Sequence, residues 1–156
     1  MRLNKPQIII YKKRRKLEVF DGKTVVKIYE IALGNMPVGD KDIEGDGKTP
    51  EGEFYIFTKN EKSKFHLSLG LSYPNIEDAD RGVAAELITK AEYNAIVEAI
   101  AEKKMPPQTT KLGGEIYIHG GGTGGDWTQG CVALADDDIK KLFDSIPVGT
   151  AVRILP

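Results

Sequence analysis

The chain has 156 residues, 40% of them apolar, which is enough for one domain with a single core. Its 22 basic and 23 acidic residues leave a net charge of −1, so the electrostatic footprint of a nucleic-acid-binding protein is not expected. One cysteine excludes an internal disulfide, and no stretch approaches the roughly 18 apolar residues of a membrane helix.

In chain order, the first half reads as β-structure. The N-terminal "MRLNKPQIIIYKK" has too short an apolar run for a signal peptide, and "PQIIIYKK" is a strand candidate. The basic run Lys12–Lys16 that follows is expected to be a solvated hairpin turn, with an anionic-envelope contact as its other reading. Asp21-Gly22 is a hairpin signal between the β-prone segments of "KLEVFDGKTVVKIYEIAL". "DKDIEGDGKTPE" (40–51) carries acids at EF-hand ligand positions, with Asp40, Asp42, Glu44 and Glu51. The flanks are not helical, so an acidic turn is expected and no calcium site, although such a turn could also attract an ammonium group. "GEFYIFTK" (52–59) is a further strand.

In "FHLSLGLSYP" (65–74), Phe65, Leu67, Leu69, Leu71 and Tyr73 alternate with His66, Ser68, Gly70 and Ser72. Period two predicts a strand with one polar face, and that face is expected to line a cleft through His66 and Ser72. Two helices follow. The first is capped by Thr89 with Glu92, striped by Tyr93, Ile96, Val97 and Ile100, and stopped by Pro106-Pro107. The second begins at Asp136-Asp137-Asp138 and buries Ile139, Leu142, Phe143 and Ile146. "TAVRIL" closes the chain as a strand. The prediction is a single domain over residues 1–156, mainly β with two helices.

Between those helices lies "IHGGGTGGDWTQGCVAL" (118–134), with His119 and the single Cys131 twelve positions apart and six glycines between them. A lone copy of a calcium β-roll repeat means little, and no Gly-Lys-Ser/Thr follows to make a phosphate loop. Zinc on His66, His119 and Cys131 lacks a close-spaced ligand pair, so no metal and no cofactor are expected. A thiol needs a base within reach to become a nucleophile, and a glycine-rich loop lets the ends of two strands bring such a pair together. Loop N–H groups, Gly130 foremost, are expected to serve as an oxyanion hole. The Cys131 thiol is expected to titrate low, coupled to His119. The alternative for these residues is a buried small hydrophobe and a satisfied polar group.

"IHG…WTQGCVAL", the upstream "ALGNMPVGDKDIEGDGKTPEGEFYI" and "FHLSLGLSYPN" together resemble the L,D-transpeptidase catalytic domain of the YkuD family, and its YafK-like branch in particular. The likeness runs from about Ile8 to Leu155. It implies a β-sandwich-like fold and a cysteine enzyme of peptidoglycan stem peptides, working through a thioester. Carried over, Cys131 is the nucleophile, His119 the base and the Gly120 carbonyl its orienting partner. Thr128, Gln129 and Gly130 fall in the substrate-facing turn, and Trp127 is expected to wall the cleft. Gln129 stands where the family often has His, and Ala133 where it often has Arg or Asn. Transfer to an amine and hydrolysis (amidase or carboxypeptidase) therefore both stay open, as does an inert module binding cell-wall peptide or calcium. The resemblance implies action in the cell envelope or periplasm, with a cytoplasmic location left by the missing signal peptide. A monomer is expected.

Overall fold

The computed structural model describes residues 2–63 and 66–156. Eight strands form one sheet: β1 (Pro6–Tyr11), β2 (Lys16–Asp21), β3 (Thr24–Glu30), β4 (Gly52–Ser63), β5 (His66–Leu71), β6 (Tyr117–His119), β7 (Val132–Ala133) and β8 (Ala151–Leu155). Their order across the sheet is β3-β2-β1-β8-β4-β5-β6-β7. The final strand lies between the first and the fourth, parallel to β1 and antiparallel to β4. The two ends of this order meet: Ala32, just after β3, exchanges both main-chain hydrogen bonds with Ala133 of β7 at 2.9 Å. The sheet is thereby curled into a half-barrel around its core.

Alternation in the strands decides what faces inward. Ile8 and Ile10, Leu17 and Val19, and Val152 and Ile154 are buried, while their neighbours along each strand reach solvent. They join Ile56, Leu69, Ile118, Val132 and Leu134 in the main core, and each buried aliphatic contributes about 1.5–3 kcal/mol. Helix α3 (Asp136–Ser145) inserts Ile139, Leu142 and Phe143 into the same core. The Asp21-Gly22 hairpin forms as expected, with Gly22 at φ 63°.

Three helices form, not two. The predicted α2 (Lys90–Ala101) has its capping box, Thr89 Oγ1 accepting from Glu92 N and Glu92 Oε1 from Thr89 N. It ends before Pro106, through Lys103 in the left-handed region. The unpredicted α1 (Ile76–Ala84) opens with an Asn75–Asp78 capping box. α1 and α2 share a smaller core of Ala79, Ile88, Ile96 and Leu112.

Lys12 departs from its expected place. It is 2% exposed, and its ammonium donates to the carbonyls of Gly39 (2.8 Å) and Thr49 (2.7 Å) and to Glu51 (3.0 Å). Arg15 and Lys16 are paired with Asp126 and Glu30, and Arg14 stacks on Tyr11. The basic run is a hairpin turn, but most of its charge is committed to the protein itself.

Candidate active site

The strand register sets the geometry. β6 and β7 run parallel with Ile118 opposite Val132 and His119 opposite Ala133, so Cys131 enters one step earlier, beside Tyr117. There the sulfur accepts from the Tyr117 N–H at 3.4 Å, and its own S–H donates to the Glu115 carbonyl, also at 3.4 Å. His119 and Cys131 both line a cleft of about 430 Å³ together with Trp127, Thr128, Gln129, Lys41, Glu44, Gly45 and the Gly113–Ile116 segment.

His119 is 3% exposed, and its Nδ1 donates to the Gly120 carbonyl at 2.5 Å, which makes Nε2 the basic nitrogen. Trp127 stands edge-to-face on the imidazole, with ring centroids 5.6 Å apart. Burial lowers the His119 pKa, and the bond to Gly120 only partly opposes it. Burial likewise pushes the Cys131 thiol up, against the Tyr117 N–H, with the Glu115 carboxylate adding to the rise and the Lys41 ammonium opposing it. The expected low-titrating thiol is thus corrected: desolvation outweighs every group that favours thiolate.

The glycine-rich loop between them is held at many points. Gly121 N donates to Asp136 at the start of α3, Gly122 N to Leu134 O, and the Trp127 indole N–H to Gly122 O. Arg15 grips Asp126 with two nitrogens, and Asp126 also accepts from Leu33 N. Thr128 Oγ1 donates to Cys131 O at 2.7 Å and accepts from Gly130 N at 3.2 Å. The Gly130 N–H therefore faces the Thr128 hydroxyl inside the turn, not an oxyanion in the cleft. Gly130 has φ 135°, and a Cβ there would lie 2.9 Å from Lys48 O, so close backbone approach demands glycine at this position.

His66 and Ser72 do not line this cleft. β5 is an interior strand between β4 and β6, and both of its faces are covered, so Ser68 and Ser72 are buried. The Ser72 hydroxyl accepts from Tyr55 N at 2.8 Å. Ser68 is opposite His119 and Gly70 opposite Tyr117, so His66 extends beyond the His119 level, away from Cys131, exposed at the β4–β5 hairpin. It is not gathered with His119 and Cys131 as a zinc set would require. Phe65, expected on the apolar face, lies outside the described residues.

The acidic loop 40–51 forms part of the cleft wall, which its sequence did not show. Four of its five acids serve the protein's own cations: Asp40 and Asp42 hold Arg81, Asp46 holds Lys41, and Glu51 holds Lys12. Burial works to raise the Asp46 pKa, yet three backbone N–H groups and Lys41 hold it below the usual carboxylate range. Among the described residues Asp40, Glu77 and Asp78 bring carboxylate oxygens together, but the Arg81 guanidinium is bonded to all three. Lys41 and Glu44 were missed because they reach the cleft from a segment far from His119 in sequence, while Gly113–Ile116 lie just before it. Gly113-Gly114 was the one local signal.

Residues 5–154 match the family model of the YkuD L,D-transpeptidase catalytic domain. The putative L,D-transpeptidase YqjB of Bacillus subtilis is 28% identical over 156 residues, covering 96% of this chain and 70% of that protein. The probable L,D-transpeptidase ErfK/SrfK of Escherichia coli is 51% identical over 47 residues, which is 27% of this chain and only 15% of that protein. Among solved structures, the helical cell shape determining protein Pgp2 from Campylobacter jejuni superposes with a TM-score of 0.68 at 25% identity, covering 97% of this chain and 48% of that one. L,D-transpeptidase 1 of Mycobacterium tuberculosis, at 12% identity and a TM-score of 0.55, shares the fold, with 97% of this chain and 61% of that one covered. With an enclosing half-barrel, a cysteine and histidine in one cleft, and a family match over nearly its full length, the chain belongs to the YkuD family of L,D-transpeptidase catalytic domains.

Proposed function

We propose that the domain is a cysteine L,D-transpeptidase of peptidoglycan stem peptides in the cell envelope, with Cys131 as nucleophile, His119 as general base and the Gly120 carbonyl as its orienting partner. The observation that carries this reading is the pinning of His119 Nδ1 to Gly120 in the same cleft as the chain's single thiol. Burial disfavours the charged form of both groups, and the thiol loses its proton to Nε2 as sulfur attacks the donor carbonyl. The C–N bond then breaks, the leaving amine takes the proton from His119, and a thioester remains on Cys131. An acceptor amine attacking that thioester completes transfer, with His119 removing the amine's proton. Water in the same place gives hydrolysis. Trp127 and Gln129 form the wall against which the stem peptide lies.

Incubation with a carbapenem followed by intact mass measurement tests this reading. Wild type should gain one covalent adduct, lost in Cys131→Ser, a folded variant with an unchanged melting temperature. Muropeptide turnover with and without an acceptor amine then separates transfer from hydrolysis. An unmodified Cys131 together with no muropeptide turnover would identify an inert module and remove the reading.

A further inference from the structure

Both groups that hold the Cys131 sulfur belong to one short segment: the Glu115 carbonyl takes the S–H, and the Tyr117 N–H, two residues on, donates to Sγ. That segment enters the cleft in an unusual way. Gly113 has φ 89°, and Glu115 is a non-glycine residue in the left-handed region at φ 56°. Such a conformation persists only where its surroundings over-determine it, and it occurs often where a backbone group is aimed at a reacting atom.

One side chain supplies the constraint. Gln108 Oε1 accepts from Glu115 N at 2.7 Å, while its Nε2 donates to Tyr73 O at 2.8 Å and to Pro106 O at 2.9 Å. The carboxamide thus bridges the end of the β5 segment, the Pro106 turn and the strained peptide. Packing reinforces the bridge: a Cβ on Gly114 would fall 2.6 Å from Gln108 O and 2.7 Å from its Cα, so the 113–115 backbone lies directly on this residue. We propose that Gln108 is a positioning residue for the nucleophile, holding the Glu115 peptide in its left-handed form so that the 115–117 backbone grips the Cys131 sulfur through the Glu115 carbonyl and the Tyr117 N–H. This goes beyond the assignment of Cys131 and His119 and rests on Cys131 being the reacting thiol. No group of the Gln108 side chain touches the sulfur; its effect passes through Glu115.

The test is the pH dependence of iodoacetamide alkylation at Cys131, read by intact mass. With a single cysteine, no substrate and no transpeptidase activity are needed, so failure here is distinguishable from failure of the proposed function. Gln108→Met keeps the side-chain length and removes all three hydrogen bonds. Its segment should loosen, the Glu115 carbonyl should lose its hold on the S–H, and the alkylation midpoint should move down toward that of an ordinary thiol by about one unit, roughly tenfold in rate at a fixed pH below it. Ile10→Val, a core deletion on β1, should lower the melting temperature and leave the midpoint at the wild-type value. A wild-type midpoint in Gln108→Met, or an equal shift in both variants, overturns the proposal. Should Gln108→Met fail to fold, amide exchange in the wild type decides: a Glu115 N–H held by Gln108 exchanges slowly, and one exchanging as fast as an unprotected loop amide overturns it.

Discussion

Lys12→Met offers a sharp probe of the forces that hold the cleft wall. The side chain is 2% exposed, and its ammonium is the shared donor for Gly39 O, Thr49 O and Glu51. Methionine fills much of the same volume but leaves those three acceptors unmatched. Removing one partner of a buried ion pair costs about 3–5 kcal/mol. The Glu51 side chain is 20% exposed and can recover some hydration, which favours the lower end, about 3 kcal/mol. At roughly 2–4 °C per kcal/mol for a domain of this size, the melting temperature should fall by about 6–12 °C. The loop that Lys12 secures carries Lys41, Glu44 and Gly45 into the cleft, so carbapenem acylation should slow as well. Urea unfolding followed by far-UV circular dichroism measures the first effect, and a Lys12→Met/Glu51→Gln double-mutant cycle isolates the pair. A loss below about 1 kcal/mol with an unchanged denaturant slope would refute the reasoning, since it would mean that these acceptors are readily rehydrated.

Two further outcomes follow from geometry and titration. Gly130→Ala places a methyl group 2.9 Å from Lys48 O at φ 135°, so it should destabilise by about 1–3 kcal/mol and slow acylation of the adjoining Cys131 at least tenfold, read by unfolding and by mass. Asp78, raised by burial to about 7 against the pull of the Asn75 N–H and Arg81, contributes stability that is present below the ordinary carboxylate range and is lost as pH rises through about 7. Wild type should therefore lose on the order of 2 kcal/mol between pH 5.5 and 8.5, and Asp78→Asn should abolish that slope in urea titrations; an equal slope in both proteins removes Asp78 as its source.

Local chemistry was legible where each decision is made within a few residues. The Asp21-Gly22 hairpin, the Thr89–Glu92 cap, the apolar stripe of α3 and the alternating Ile8 and Ile10 needed no tertiary context. The sequence reading failed where burial is decided by distant parts of the chain. The alternation around Ser68 and Ser72 is real, but it separates an apolar from a polar face only if one face is left open, and β4, β6 and their coverings leave neither open. Lys12 looks like a surface lysine until the 39–51 loop folds over it. The titration of Cys131 was misjudged for the same reason: a neighbouring histidine was visible, but the burial that raises the thiol pKa was not. His119 and Cys131 were legible as a pair because their separation is bridged by glycines between two short strands, while Lys41 and Glu44 arrive from a segment with no sequence link to either.

The position of β8 has a consequence for how the domain comes into being. Among the described residues, 151–155 form the ladder that joins β1 to β4, and they are synthesised twenty residues after Cys131. Until they emerge, the β1–β3 meander and the β4–β5 hairpin are separate sheets with open edges, and the Ala32–Ala133 closure has no frame to bring its two halves together. Closing such long-range pairings late is slow and leaves unpaired strands exposed to other chains. The same strand that completes the sheet therefore also ends the interval in which those edges stand open.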